Sequence, residues 1–181
     1  MKEILWHGRG GQGAFTASIL LGTAYINESP EYHALAFPSF GPERRGAPVR
    51  AFNRIDSERV GDRSEIKKAD YLLYLDDSLL GENPLSELRE HGVAIINTDG
   101  PVEIRDERVV TFDASGLAAE ILGRPIANTG ILGFWAGFSG EISLDSLVTA
   151  VRTGLNPKLQ EGNIRVIQEA FVRGKSYVRE K

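Results

Sequence analysis

Gly8-Arg9-Gly10-Gly11-Gln12-Gly13 is the first segment whose residue types could do chemistry. Gly8, Gly10 and Gly13 fit G-x-G-x-x-G. The apolar run Ile4-Leu5-Trp6-His7 before it and a helical pattern after it supply the strand and helix such a turn requires. There, bare backbone amides and a helix N-terminus can approach an anion closely. Gly8 and Gly13 also have P-loop spacing, but Ala14-Phe15 stands where Lys and Ser/Thr are needed, which excludes a Walker-type triphosphate site. A dinucleotide site wants an acid near the end of the second strand, and that strand ends Ala36-Phe37-Pro38-Ser39. Two readings stay open: a site for some other phosphate-bearing ligand, and a turn that only lets helix and strand pack closely.

Phe37-Pro38-Ser39-Phe40-Gly41-Pro42-Glu43-Arg44-Arg45-Gly46-Ala47-Pro48 is the second candidate, a loop shaped by proline and glycine. Arg44, Arg45, Arg50 and Arg54 oppose only Glu43 between positions 43 and 54. Such a patch suits an anionic ligand or an acidic partner surface. The alternative is a solvated cluster neutralised by Glu43, Asp56 and Glu58. In an α/β sheet the loops leaving the first and second strands share the carboxyl edge, so the glycine turn and the arginine loop are expected to meet.

Catalytic constellations are missing. His7, His33 and His91 lack metal-ligand spacing, and His7 reads as a hydrogen-bonded residue at a strand end. Asp76-Asp77 reads as a cap on the Ser78-Leu79-Leu80 turn. No G-x-S-x-G elbow and no carbohydrate-cleaving acid pair is present. The chain has no cysteine, which excludes a disulfide framework, a thiolate nucleophile and a cysteine-ligated iron–sulfur cluster. We therefore expect no catalytic and no metal-ligating residue here.

The elements that must position these segments fit one domain over residues 1–181. Apolar residues make up 41% and charged residues 25%, with a net charge of −4, which suits a folded domain and argues against nucleic-acid binding. Strands are expected over 4–7, 32–37, 49–55, 71–75, 93–97 and 108–112. A helix over 12–26 would place Phe15, Ile19, Gly22 and Ile26 on one stripe, with Ala14, Ala17, Leu21 and Ala24 elsewhere, so it is expected to be covered on more than one side. Further helices are expected over 85–90, 114–122, from Asn128 or Thr129 to 138, after Ser143, and from Pro157 with Ile164, Ile167, Ala170 and Phe171 inward. The alternation predicts a three-layer α/β/α sandwich around a largely parallel or mixed sheet. The apolar stretch 131–138 is too short and glycine-interrupted to span a membrane, and the start lacks a signal-peptide core, so a cytoplasmic protein is expected.

His7-Gly8-Arg9-Gly10-Gly11-Gln12-Gly13, together with the segment from Phe40 through Glu43-Arg44-Arg45-Gly46 to Arg54, resembles the gamma subunit of 2-oxoacid:ferredoxin oxidoreductases. Asn128-Thr129 resembles that family's asparagine ahead of a glycine-rich helix, and Asn163 sits in a matching C-terminal helix. The resemblance implies a subunit of a complex that converts a 2-oxoacid, first of all pyruvate, CoA and oxidised ferredoxin into acyl-CoA, carbon dioxide and reduced ferredoxin. It implies that thiamine diphosphate, Mg2+ and 4Fe–4S clusters belong to alpha, beta and delta-type partners. It also implies that this chain helps CoA binding and assembly, through Gly10, Gly11, Gln12, Gly13, Arg44, Arg45 and Asn128. A purely structural assembly subunit and a free-standing nucleotide-binding module are the competing readings.

Overall fold

The computed structural model describes residues 1–39 and 45–179. Arg44, one of the expected site residues, lies outside the described residues. Strand β1 (Lys2–Arg9) carries Ile4 and Trp6 on one face and Leu5 on the other, all fully buried, so this strand must lie inside a sheet covered on both sides. Around it assemble β2 (His33–Pro38), β3 (Pro48–Asp56), β4 (Ala69–Tyr74), β5 (Leu88–Asn97) and β6 (Val109–Phe112), in the order β2-β3-β1-β4-β5-β6. Strands β1, β4, β5 and β6 run parallel, and β3 runs antiparallel between β1 and β2. The sheet is thus mixed within an α/β fold.

The helices are α1 (Ala14–Glu28), α2 (Ala114–Leu122), α3 (Asn128–Ser139), α4 (Leu144–Gly154) and α5 (Pro157–Arg179). All five contribute to the apolar core on one sheet face, around Ile4, Trp6, Leu73 and Ile95. The opposite face, built on Leu5, Phe52, Leu72 and Ile96, is covered by Ile66, Leu79, Leu80, Leu85, Val102 and Ile104 from irregular segments. The helix expected over 85–90 does not form; a turn through residue 87 and the beginning of β5 take that stretch. Gly81 and Pro84 interrupt any longer helix there. Handedness accounts for the division. The β1-to-β2 connection runs toward one sheet edge and the β4-to-β5-to-β6 connections toward the other, and right-handed crossovers in opposite directions lie on opposite faces.

Helix α1 turns its small residues inward. Ala17, Ser18, Leu21, Gly22 and Ala24 are buried, while Phe15, Ile19 and Ile26 are 40–46% exposed, so of the expected stripe only Gly22 is buried, and the cover falls on the face of Ala17, Leu21 and Ala24. The reason is a buried asparagine on β3. Asn53 accepts from Trp6 Nε1 at 2.9 Å and donates to the Ser18 carbonyl at 2.8 Å, drawing the helix backbone close to the sheet. Helix α3 is buried over nearly its whole length and meets α5 through glycines. A Cβ at Gly133 would stand 2.7 Å from the Ile167 carbonyl oxygen.

Candidate functional site

The connections of β1 and β4 leave toward opposite edges of the sheet, so a crevice opens between their carboxyl ends, where α/β folds place ligands. The glycine turn occupies that position. Gly11 and Gly13 adopt φ of +94° and +80°, which side-chain-bearing residues rarely tolerate, and this folds the chain sharply from β1 into α1. Gly8 serves packing, since a Cβ there would lie 3.3 Å from Ala14 Cβ and from Leu75 Cδ1.

The turn and the arginine loop meet as expected, through the strand between them. The Gly10 amide donates to the Ala47 carbonyl at 2.8 Å, and the Gly46 amide donates to the Gly10 carbonyl at 3.0 Å. Arg45 pairs with Gly10 in an isolated parallel bridge, and its Cγ lies 3.9 Å from where a Gly11 Cβ would be. Two amides expected to face a ligand are used by the fold itself, those of Gly10 and of Gln12, which donates to the Arg9 carbonyl at 2.9 Å. The amides of Gly11 and Gly13 and the first turn of α1 are the donors outside these bonds, and no acidic residue or side-chain cap stands in that first turn.

Gln12 braces the turn. Its Oε1 accepts from the Arg9 amide at 2.7 Å and its Nε2 donates to Asp76 Oδ2 at 2.9 Å. Arg9, which motif spacing did not single out, completes the brace. Its guanidinium donates to Asp76 Oδ2 at 3.1 Å, to Ser78 Oγ at 2.8 Å and to the Gly46 carbonyl at 3.1 Å. Asp76 also accepts from the Ser78 amide, the cap expected of it. Burial raises the pKa of Asp76, but hydrogen bonds from Ser78 and Gln12 and the charge of Arg9 outweigh it and hold the carboxyl below its ordinary range.

Asn128 lies against the same turn, 8% exposed, donating from Nδ2 to the Gly13 carbonyl at 3.3 Å and accepting from the Thr129 amide at 2.8 Å. Thr129 Oγ1 donates to Asn163 Oδ1 at 2.8 Å, so a polar chain runs from the glycine turn into α5.

The arginine patch divides. Arg50 pairs with Glu65 at 2.6 Å and with Glu87, and Arg54 is buried against Glu3 at 2.7 Å, with Asp62 near by. Neutralisation therefore holds for these two, by acids other than those adjacent in sequence. Arg45 remains exposed beside the turn. His7 stacks on Tyr74 with centroids 4.4 Å apart, and its Nε2 lies 3.0 Å from Glu87 Oε2, consistent with a structural histidine.

Two hollows flank the turn. One, of about 560 Å³, lies between Gly11, Gly13, Phe15, Ser39, Val49 and the Arg9 and Arg50 side chains, with no carboxylate among the described residues lining it. The other, of about 480 Å³, is lined by Asp76, Asp77, Asp99 and Asp113 and would repel an anion. Among the described residues no group of three or more His, Cys, Asp or Glu could hold a metal ion, and no helix is long and apolar enough to cross a membrane.

Residues 3–172 match the pyruvate ferredoxin/flavodoxin oxidoreductase family. The chain belongs to this family. Pyruvate synthase subunit PorC of Methanothermobacter thermautotrophicus is 42% identical over 172 residues, covering 94% of each chain. The pyruvate/ketoisovalerate oxidoreductases common subunit gamma of Thermococcus kodakarensis is 40% identical over 94% of this chain and 96% of its own. The crystal structure of pyruvate oxidoreductase subunit PORC from Thermotoga maritima superposes with a TM-score of 0.79 at 30% identity, covering 94% and 96%. This is a gamma-type subunit, one component of a multisubunit oxidoreductase. The same fold, at a TM-score of 0.70 and 18% identity, makes up 32% of a 2-oxoglutarate:ferredoxin oxidoreductase chain from Magnetococcus marinus. The family's complexes use thiamine diphosphate and iron–sulfur clusters. A chain without cysteine has no thiolate to ligate such a cluster.

Proposed function

We propose that this chain serves a cytoplasmic pyruvate:ferredoxin oxidoreductase by holding the phosphates of coenzyme A at the glycine turn. Alpha, beta and delta-type partners would carry thiamine diphosphate, Mg2+ and the 4Fe–4S clusters. The observation behind this reading is the hollow lined by Gly11, Gly13 and Arg9 at the N-terminus of α1: no carboxylate among the described residues lines it, and Arg45 is paired with the adjacent Gly10. Arg44, next to Arg45 in sequence, is assigned the same role by motif.

The contribution of the chain is positional and electrostatic. The turn that carries the Gly11 and Gly13 amides is fixed by the Arg9–Asp76–Gln12 brace and by Asn128. Donors held this way need no reorganisation when an anion arrives. Thiamine diphosphate on the partners supplies decarboxylation and electron release; this chain keeps the acyl acceptor within reach. Pyruvate is favoured as the 2-oxoacid because the 42% and 40% identical relatives bear pyruvate in their names.

Purification of the native complex through a tag on this chain tests the assignment. Co-purification of partner chains with thiamine diphosphate, iron and sulfide is expected. A monodisperse single chain that binds NAD or AMP by calorimetry would overturn it in favour of a free-standing nucleotide module.

A further inference from the structure

Strand β2 forms an edge of the sheet, pairing with β3 and with no other strand among the described residues. Two loop bonds fix which of its backbone groups face outward. The Gly10 amide donates to the Ala47 carbonyl, so the odd-numbered residues of β3 bond β1. The Ser39 amide donates to the Arg50 carbonyl, so the even-numbered residues of β3 bond β2. His33, Leu35 and Phe37 are therefore the residues of β2 that bond β3, and the N–H and C=O groups of Ala34 and Ala36 point away from the sheet. Among the described residues no loop or turn bonds to them. The strand carries no Lys, Arg, Asp or Glu, and its proline stands only at the last position, so no charge blunts this edge.

Helix α1 enlarges the same surface. Gly22 rests on the edge, since a Cβ there would lie 3.5 Å from Ala34 Cβ and 3.9 Å from Ala36 Cβ. Phe15, Ile19 and Ile26 share the helical stripe of Gly22 and are exposed. Phe15 also lines a hollow with Pro38, at the end of β2. From Ala14 to Asn27 the helix has no charged residue, whereas the solvated face of a surface helix ordinarily carries charge.

We propose that the β2 edge and the α1 stripe together seat the same surface of a second copy of this chain across a two-fold axis. The pattern is its own complement. With β2 antiparallel to its copy and Leu35 on the axis, Ala34 of each chain exchanges both backbone bonds with Ala36 of the other. The ladder closes there, because Pro38 has no N–H and the Tyr32 amide is bonded to the Ser29 carbonyl. The helix stripe has the same symmetry. Antiparallel copies of α1 set Phe15 opposite Ile26 and Ile19 opposite Gly22, about a point between Leu20 and Leu21. That point is about 2 Å along the helix from Gly22, which rests on Ala34 and Ala36, so strand and helix share one axis. The absence of charge lets the surface meet its own image without like-charge repulsion. A strand from a different protein would require none of this symmetry.

The chain has no cysteine, so an introduced thiol reports on one position. On the axis, Leu35 faces its copy as a non-hydrogen-bonded pair with Cα atoms about 4.5 Å apart, within disulfide range. In the assembled complex, oxidised Leu35→Cys is expected to give this chain at about twice its mass on a non-reducing gel. Ile19→Cys, at an exposed position that the fold does not depend on, should link to its copy through a short bismaleimide spacer. Thr111→Cys, exposed on the opposite edge strand β6, should link no two copies. Adding Ile19→Glu to Leu35→Cys should lower the disulfide yield at least about tenfold, and adding Ile19→Val should leave it unchanged. Failure of both thiols to link two copies, a link to a different subunit instead, equal linking by Thr111→Cys, or a yield indifferent to Ile19→Glu overturns the proposal.

Discussion

Asn128 donates its side-chain N–H to the carbonyl of Gly13, joining the start of α3 to the start of α1 across 115 residues of chain. The contact is close enough that a Cβ on Gly13 would stand 2.5 Å from Asn128 Nδ2. Gly13 is therefore required twice, for its φ of +80° and for the space that Asn128 fills. The polar chain beyond Asn128, through Thr129 to Asn163, makes the geometry of the turn depend on helices formed late in the sequence.

Gly13→Ala should cost roughly 2–3 kcal/mol, combining left-handed strain with the clash on Asn128. Gly123→Ala provides the comparison, because Gly123 has φ of +69° but open space around it. It should cost only about 1 kcal/mol. Urea unfolding of both variants measures the difference.

Asp76 gives the brace a pH dependence. Its folded-state pKa lies below the ordinary carboxylate value, so the stabilisation is complete above about pH 4 and is lost as the pH falls through the folded value. Asp76→Asn should cost roughly 1–2 kcal/mol at pH 7. The stabilities of variant and parent should converge below pH 4. Denaturant midpoints collected across pH 2–7 test the convergence.

Arg54 is buried with its Nε 2.7 Å from Glu3 and its Nη1 2.7 Å and 2.8 Å from the carbonyls of Asp62 and Ser64. Arg54→Met strands a buried carboxylate that then has only Arg89 beside it. The expected loss is about 3 kcal/mol. Adding Glu3→Leu should recover most of it, measured as a double-mutant cycle by chemical denaturation.

Helices α3 and α5 meet backbone to backbone. A Cβ on Gly137 would overlap the Phe171 carbonyl, and one on Gly174 would overlap the Phe134 carbonyl. Gly137→Ala should therefore destabilise by about 3 kcal/mol or more. A melting temperature within a degree or two of the parent would contradict that packing.

Strands β4 and β5 were legible because Tyr71-Leu72-Leu73-Tyr74 and Val93-Ala94-Ile95-Ile96 leave no polar face, which only a sheet covered on both sides tolerates. The glycine turn was legible because its conformation demands glycine at fixed offsets. The orientation of α1 was not, because hydrophobicity ranks Phe15 and Ile19 above Ala17 and Ser18, whereas close approach to Asn53 selects small residues. Charge density alone left Arg50 and Arg54 open between a ligand patch and a neutralised cluster for a similar reason. Their partners Glu87 and Glu3 are 37 and 51 residues away; Glu3 meets Arg54 through the pairing of β1 with β3, and Glu87 reaches Arg50 from the turn before β5. Arg9 was hidden in the same way, since nothing at its position in the motif announces Asp76, 67 residues on.

The central claim is that this subunit holds coenzyme A beside the glycine turn. It is tested most directly by steady-state kinetics of the assembled complex carrying Arg44→Glu/Arg45→Glu, with CoA varied at saturating 2-oxoacid. The account predicts a KM for CoA raised at least about tenfold, with assembly intact and the 2-oxoacid KM unchanged. Unchanged CoA kinetics in an intact complex would contradict it, and loss of co-purifying partners would mark the loop as an assembly contact instead.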